Sequence, residues 1–113
     1  METKVVVIPG DRITDRDSFH TVFAEVLGFF AGYGRNMDAW IDIMGDLAAE
    51  TPLSTVRTRP RQLLTLQVEG TDGLGERCPD LWRDFLACTA AVNRRRIVAG
   101  DMPLLALMPI SRP

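Results

Sequence analysis

The side chains of this chain that could do chemistry are few, and the most ordered group of them is acidic. Asp38, Asp42, Asp46 and Glu50 recur every four residues with no Lys or Arg between them. That spacing stacks them on one face of an α-helix. Each like-charged pair costs an isolated helix about 0.2–0.5 kcal/mol. The helix macrodipole offsets part of that at Asp38, near the helix start, and none of it at Asp46 or Glu50. Such a row is either a solvated acidic surface or a surface complementary to a strongly basic partner, where matched charge speeds encounter and excludes wrong partners. A face that mimics nucleic-acid phosphates belongs to the second kind. Carboxylates spaced this way do not form the loop of hard oxygen ligands that calcium requires.

The residues suited to catalysis lack partners. The single histidine, His20, sits beside Phe19 in an amphipathic stretch and reads as structural, because catalysis needs a positioned partner. Cys78 precedes Pro79 and could be a thiol activated at a helix N-terminus, but no base accompanies it. Cys88 reads as a small apolar residue. No Cys/His cluster has zinc spacing. Gly28, Gly32 and Gly34, set among Phe29, Phe30 and Tyr33, match no phosphate-binding loop. The chain is therefore read as a non-enzyme without cofactor or metal.

The elements that must position the acidic row follow from hydrophobic period and punctuation. Lys4–Ile8 is a β-branched run that predicts a strand buried on both faces. Pro9-Gly10-Asp11 breaks it. Thr14, with Asp17 three residues on, predicts a helix start. Phe19, Val22, Phe23, Val26 and Leu27 form its apolar face, and Gly28 its terminator. Asn36 is the predicted N-cap of a second helix over residues 37–49, buried through Met37, Trp40, Ile41, Met44, Leu47 and Ala48. Pro52, Ser54, Thr55 and Pro60 predict a loop over residues 51–60. Leu63–Val68 reads as a second strand, and Gly70–Gly75 as a Gly/Asp-rich connection. Pro79 opens a long helix buried through Leu81, Trp82, Phe85, Leu86, Thr89 and Val92. Arg94, Arg95 and Arg96 lie near its end, and Gly100 stops it. Leu104–Met108 is a third strand, with Pro109 and Pro113 beyond it. Long crossovers between apolar strands predict parallel pairing with helices packed on the sheet. The expectation is one α/β domain over residues 1–113, with three strands and three or four helices.

Composition sets the class. At 113 residues, 46% hydrophobic and 25% charged, the chain has enough apolar material for one core. A net charge of −2 argues against a nucleic-acid binder, which carries a basic footprint. No apolar run approaches the ~20 residues that span a bilayer, so no membrane association is expected. No secretory signal is read at the start. On one helix Cys78 and Cys88 would sit ~15 Å apart along the axis, beyond the ~7 Å that a disulfide tolerates. Free thiols and the absence of a signal lead to a cytoplasmic expectation.

The stretch Tyr33-Gly34-Arg35-Asn36-Met37-Asp38-Ala39-Trp40-Ile41-Asp42 resembles the barstar family, intracellular inhibitors of barnase-type ribonucleases. Ile8, Gly10, Ile13 and Phe19-His20 also fall where that family has its first strand, turn and start of helix one. The resemblance implies a small three-stranded parallel sheet packed with helices. It implies a protein that plugs the active site of a basic ribonuclease or nuclease toxin with its second helix and the loop before it. By resemblance, Tyr33 is an aromatic contact, Asn36 a cap or loop contact, and Asp38 and Asp42 the acidic contacts. Asp42 matches the aspartate that meets the nuclease's Arg and Lys groups, and Ile41 and Asp46 complete the surface. The chain departs from the family at Gly32, where an aromatic residue stands, and at Ile41, where a tryptophan stands. Trp40 lies one place earlier, rotated by about 100° on the helix and so directed toward the core. A glutamate that barstar offers from its last helix has no acidic match beside Arg94–Arg96. A different-class alternative is a barstar-like module that regulates another basic partner.

Overall fold

In a computed structural model of the chain, residues 2–49 and 53–111 are described. The elements run β1 (Thr3–Pro9), a 3₁₀ turn (Gly10–Arg12), α1 (Arg16–Leu27), α2 (Met37–Gly45), β2 (Leu63–Glu69), α3 (Thr71–Arg77), α4 (Pro79–Val98) and β3 (Leu105–Ile110). The three strands form one parallel sheet in the order β1-β2-β3. The expected α/β domain, a three-stranded parallel sheet with four helices, is therefore present. Glu50, Pro52 and Pro113 lie outside the described residues.

The sheet is covered on one face only. Register places Val6, Leu66 and Leu107 side by side, and Ile8 beside Val68. Ile8, Leu64, Leu66, Val68 and Leu105 are buried on that face. On the other face Val5 is 51% and Val7 45% exposed. The expectation that the first strand is buried on both faces is thus corrected. Parallel strands are usually buried on both faces, but among the described residues the helices pack on one side of this sheet.

The core is aromatic at its centre. Trp40 meets the edges of Phe23 and Phe85 with ring centroids 5.5 and 5.7 Å apart, and Phe19 packs on Phe23 and Phe85. Helices α1, α2 and α4 each contribute to this cluster, so it fixes α2 against the other two. Trp40 is completely buried, in agreement with the rotation argument. Its Nε1 has no hydrogen-bond partner there.

Four local expectations are revised. Helix α1 starts one residue later than Thr14 predicted: Asp15 is its cap, accepting from Ser18 N at 2.8 Å, while Ser18 Oγ accepts from Asp15 N at 3.0 Å. The Gly70–Gly75 connection is instead the start of a helix, Thr71–Arg77. Gly70 turns the chain with φ of 68°, Leu74 enters the core, and Arg77 donates to the carbonyls of Gly10 and Ile13 at 3.0 Å each. Tertiary anchorage there overrides the poor helix propensity of Gly73 and Gly75. Leu86, read as buried, is 42% exposed, because α4 turns only its Leu81, Phe85, Thr89 and Val92 face inward. Strand β3 starts one residue later than expected and includes Pro109. It is an edge strand, where a missing N–H is tolerated. Asn93 on α4 fixes its start: Oδ1 accepts from the amides of Leu104 and Leu105, and Nδ2 donates to the Leu105 carbonyl.

Candidate functional site

Helix α2 begins at the predicted cap. Asn36 Oδ1 accepts from Ala39 N at 2.8 Å, and Asn36 Nδ2 donates to the Gly34 carbonyl at 3.3 Å. The helix ends earlier than expected, at Gly45. A glycine at that point weakens the helix, and the amide of Asp46 closes a tighter turn onto the Ile43 carbonyl at 3.0 Å. The acidic row is therefore split. Asp38 and Asp42 ride on the helix, Asp46 caps its C-terminal end, and Glu50 lies outside the described residues. At that end Asp46 sits against the negative pole of the helix dipole, as a cost.

Asp38, Asp42 and Asp46 are all exposed. Among the described residues Asp38 and Asp46 have no ion-pair partner, but Asp42 does. Its Oδ1 accepts from Arg95 Nη1 on α4 at 2.9 Å. Ile41, counted with the binding surface in the sequence reading, is only 8% exposed. It lines a groove of about 380 Å³ between α2 and α4, together with Asp42, Asp46, Val92, Arg95 and Arg96.

The loop before α2 is held from two sides. Tyr33 is 8% exposed. Its hydroxyl lies 2.5 Å from His20 Nδ1 on α1, and its ring packs edge-on against Phe29 at 4.8 Å. Little of the ring is left for an aromatic contact with a partner. His20 is buried, as its structural reading implies. Burial lowers the pKa of His20 and, with it, raises that of Tyr33. Both groups are therefore neutral near pH 7, joined by one hydrogen bond between the phenol and the imidazole.

Arg35 makes the second attachment and was missed in the sequence. Its Nη2 donates to the carbonyl and carboxylate of Asp17 at 3.0 and 2.7 Å, and to Thr21 Oγ1 at 2.8 Å. It does so from a left-handed backbone, φ 53°, that a non-glycine residue rarely adopts. No pattern in the sequence marks a lone loop arginine as a clamp. A third support comes from the following loop. Leu27 O accepts from Ser54 Oγ at 2.6 Å and from the amides of Thr55 and Val56 at 3.1 Å.

One aromatic group does face outward beside this loop. Phe30 is 43% exposed, and its amide donates to Leu53 O at 2.9 Å. Its ring folds over Gly32, where a Cβ would come within 2.5 Å of it. The glycine at that position thus makes room for a neighbouring aromatic ring, a relation that spacing alone did not reveal.

Of the two thiols, Cys88 is held in its protonated, unreactive form. Cys78 and Cys88 are both free. Burial raises the Cys88 pKa, and the nearby carboxylates of Asp84 and Asp38 raise it further, which suppresses the reactive thiolate. Among the described residues no group of His, Cys, Asp or Glu is arranged to hold a metal ion. Among them, too, no helix is long and apolar enough to cross a membrane.

The site is thus a short helix capped by Asn36, with outward carboxylates, locked to the core by Trp40 and braced by the loop before it. No curated protein matches the chain. A family model described as Barstar (barnase inhibitor) matches residues 3–103. That span contains the whole capped helix, its bracing loop and all but the last strand of the sheet, and the chain belongs to the barstar family.

Proposed function

We propose that this protein is a cytoplasmic inhibitor of a basic ribonuclease or nuclease toxin, with no catalytic activity of its own. It seats the exposed face of α2 and the preceding loop in the nuclease active site and excludes the RNA. Asp38 and Asp42 stand where substrate phosphates would lie and meet the cations that bind those phosphates. Asn36 holds the helix start, Ile41 backs the contact surface, and Asp46 extends it. Phe30 supplies the outward aromatic edge, while Tyr33 braces the loop from behind.

The observation that carries this reading is the rigid presentation of Asp38 and Asp42. Both are exposed on a helix whose other face is buried through Trp40, Ile43 and Met44. A rigid acidic ridge loses little conformational entropy on binding, and its charge steers a cationic partner.

Titration of the protein into a panel of basic microbial ribonucleases and toxin nuclease domains tests the proposal. Stoichiometric loss of RNA cleavage by at least one of them is expected. Asp42→Ala is expected to weaken that inhibition by about 2–5 kcal/mol, the cost of removing one member of a buried, hydrogen-bonded charge pair. Binding without inhibition, or inhibition unchanged by Asp42→Ala, sinks the mechanism.

A further inference from the structure

The acidic ridge is not acidic throughout. Helix α4 runs beside α2 and carries Arg94, Arg95 and Arg96 near its end. Arg95 reaches across and pairs with Asp42 at 2.9 Å. Arg96 turns toward the end of α2, its Nη1 3.4 Å from the Gly45 carbonyl. Arg94 is exposed. The groove between the two helices is lined by Asp42 and Asp46 from the α2 side, and by Arg95, Arg96 and the following Asp101 from the α4 side.

The pair itself does little for the fold. The side chains of Arg95 and Asp42 are 64% and 70% exposed, and exposed pairs contribute little to stability. Its consequence lies at the surface. Any cation that approaches Asp42 must displace Arg95 or sit beside it, and like charges brought together in an interface are penalised. A displaced Arg95 stays at the rim of the groove, where a carboxylate of the partner pairs with it more favourably than a second cation does.

We propose that Arg95 selects the partner, a proposal that rests on the inhibitor reading above. The ribonuclease it fits presents a cation to Asp42 and, next to it, a carboxylate that takes up Arg95. A cleft with cations at both positions is rejected. Discrimination then comes from a repulsive element as well as an attractive one.

The test compares wild type, Arg95→Ala, Arg95→Glu and Asp42→Ala. Each is assayed against each nuclease of the panel that the wild type inhibits, and against a ribonuclease whose cleft carries cations at both positions. Circular dichroism checks that the variants fold, as expected for substitutions at exposed positions. Arg95→Glu is expected to tighten inhibition of the doubly cationic nuclease at least about tenfold and to weaken inhibition of the cognate nuclease by a similar factor, with Arg95→Ala between. This opposed response is what a purely structural role for Arg95 does not produce. Changes of the same sign against both nucleases, or no change against either, overturn the selection. Asp42→Ala reports on the inhibitor reading separately. Loss of inhibition there with unchanged Arg95→Glu overturns selection alone, and failure of every protein to inhibit any nuclease overturns both.

Discussion

The hydroxyl of Tyr33 and Nδ1 of His20 lie 2.5 Å apart, and this one buried contact joins the loop before α2 to the middle of α1. It places a titratable group directly behind the candidate binding surface. A neutral imidazole can accept or donate in this contact, whereas a protonated ring can only donate.

The pair makes stability depend on pH. Burial depresses the His20 pKa, Arg35 and Arg16 depress it further, and Asp17 opposes them. The unfolded chain takes up its proton near pH ~6.5, and the folded chain only at lower pH. Between those values the unfolded state binds more protons, so stability falls as pH falls. The contribution is complete above about pH 6.5 and is lost progressively from there through the folded-state value, by no more than about 1.4 kcal/mol per pH unit. Urea unfolding of wild type and His20→Gln across this window checks the sign. The wild-type profile is expected to be the steeper of the two, and equal slopes contradict the assignment.

The cap of α2 can be weighed by itself. Asn36→Ala removes the acceptor for Ala39 N and is expected to cost about 1 kcal/mol. Asn36→Asp keeps the acceptor and adds a favourable charge at the helix start, so its unfolding midpoint should equal or exceed that of wild type. A midpoint for Asn36→Asp as low as that of Asn36→Ala argues that the cap is not formed.

At Arg35 two effects oppose each other. The side chain clamps the loop to Asp17 and Thr21, while its backbone holds a left-handed conformation. Arg35→Ala loses the clamp and keeps the strain. Arg35→Gly loses the clamp and relieves the strain, so it is expected to be more stable than Arg35→Ala by about 1 kcal/mol. Thermal unfolding of both variants decides, and the reverse order rules out the left-handed geometry.

Phe30 separates binding from folding. It is 43% exposed, so Phe30→Ala is expected to leave the unfolding midpoint nearly unchanged. Inhibition should weaken by about 1–2 kcal/mol if the ring meets the nuclease, because aromatic side chains at an interface edge contribute area at low entropic cost. Inhibition constants equal to those of wild type place Phe30 outside the contact.

Much of the fold was legible because its signals are local. Apolar runs located the three strands, and the 3.6-residue period located α1, α2 and α4 to within a few residues at each end. Asn36, Gly28 and Pro79 marked helix ends through backbone chemistry that acts at the residue itself. Helix α3 was not legible, because Gly73 and Gly75 oppose a helix locally and only Leu74 and Arg77, anchored to distant parts of the chain, hold it. The open face of the sheet was missed for a similar reason. Val5 and Val7 carry the same β-branched signature whether or not a helix covers them.

The candidate site divides along the same line. By itself the sequence determined a capped helix with Trp40 turned inward and Asp38 and Asp42 turned outward, because residue type and a fixed 100° rotation decide which side of a helix each side chain takes. The state of those groups depended on contacts between distant parts of the chain. Folding paired Asp42 with Arg95, 53 residues away. It turned Tyr33 onto His20, and it ended α2 at Gly45. These outcomes depend on which elements the crossovers bring side by side. Hydrogen bonds and ion pairs act over a few ångströms in space, whatever their separation along the chain.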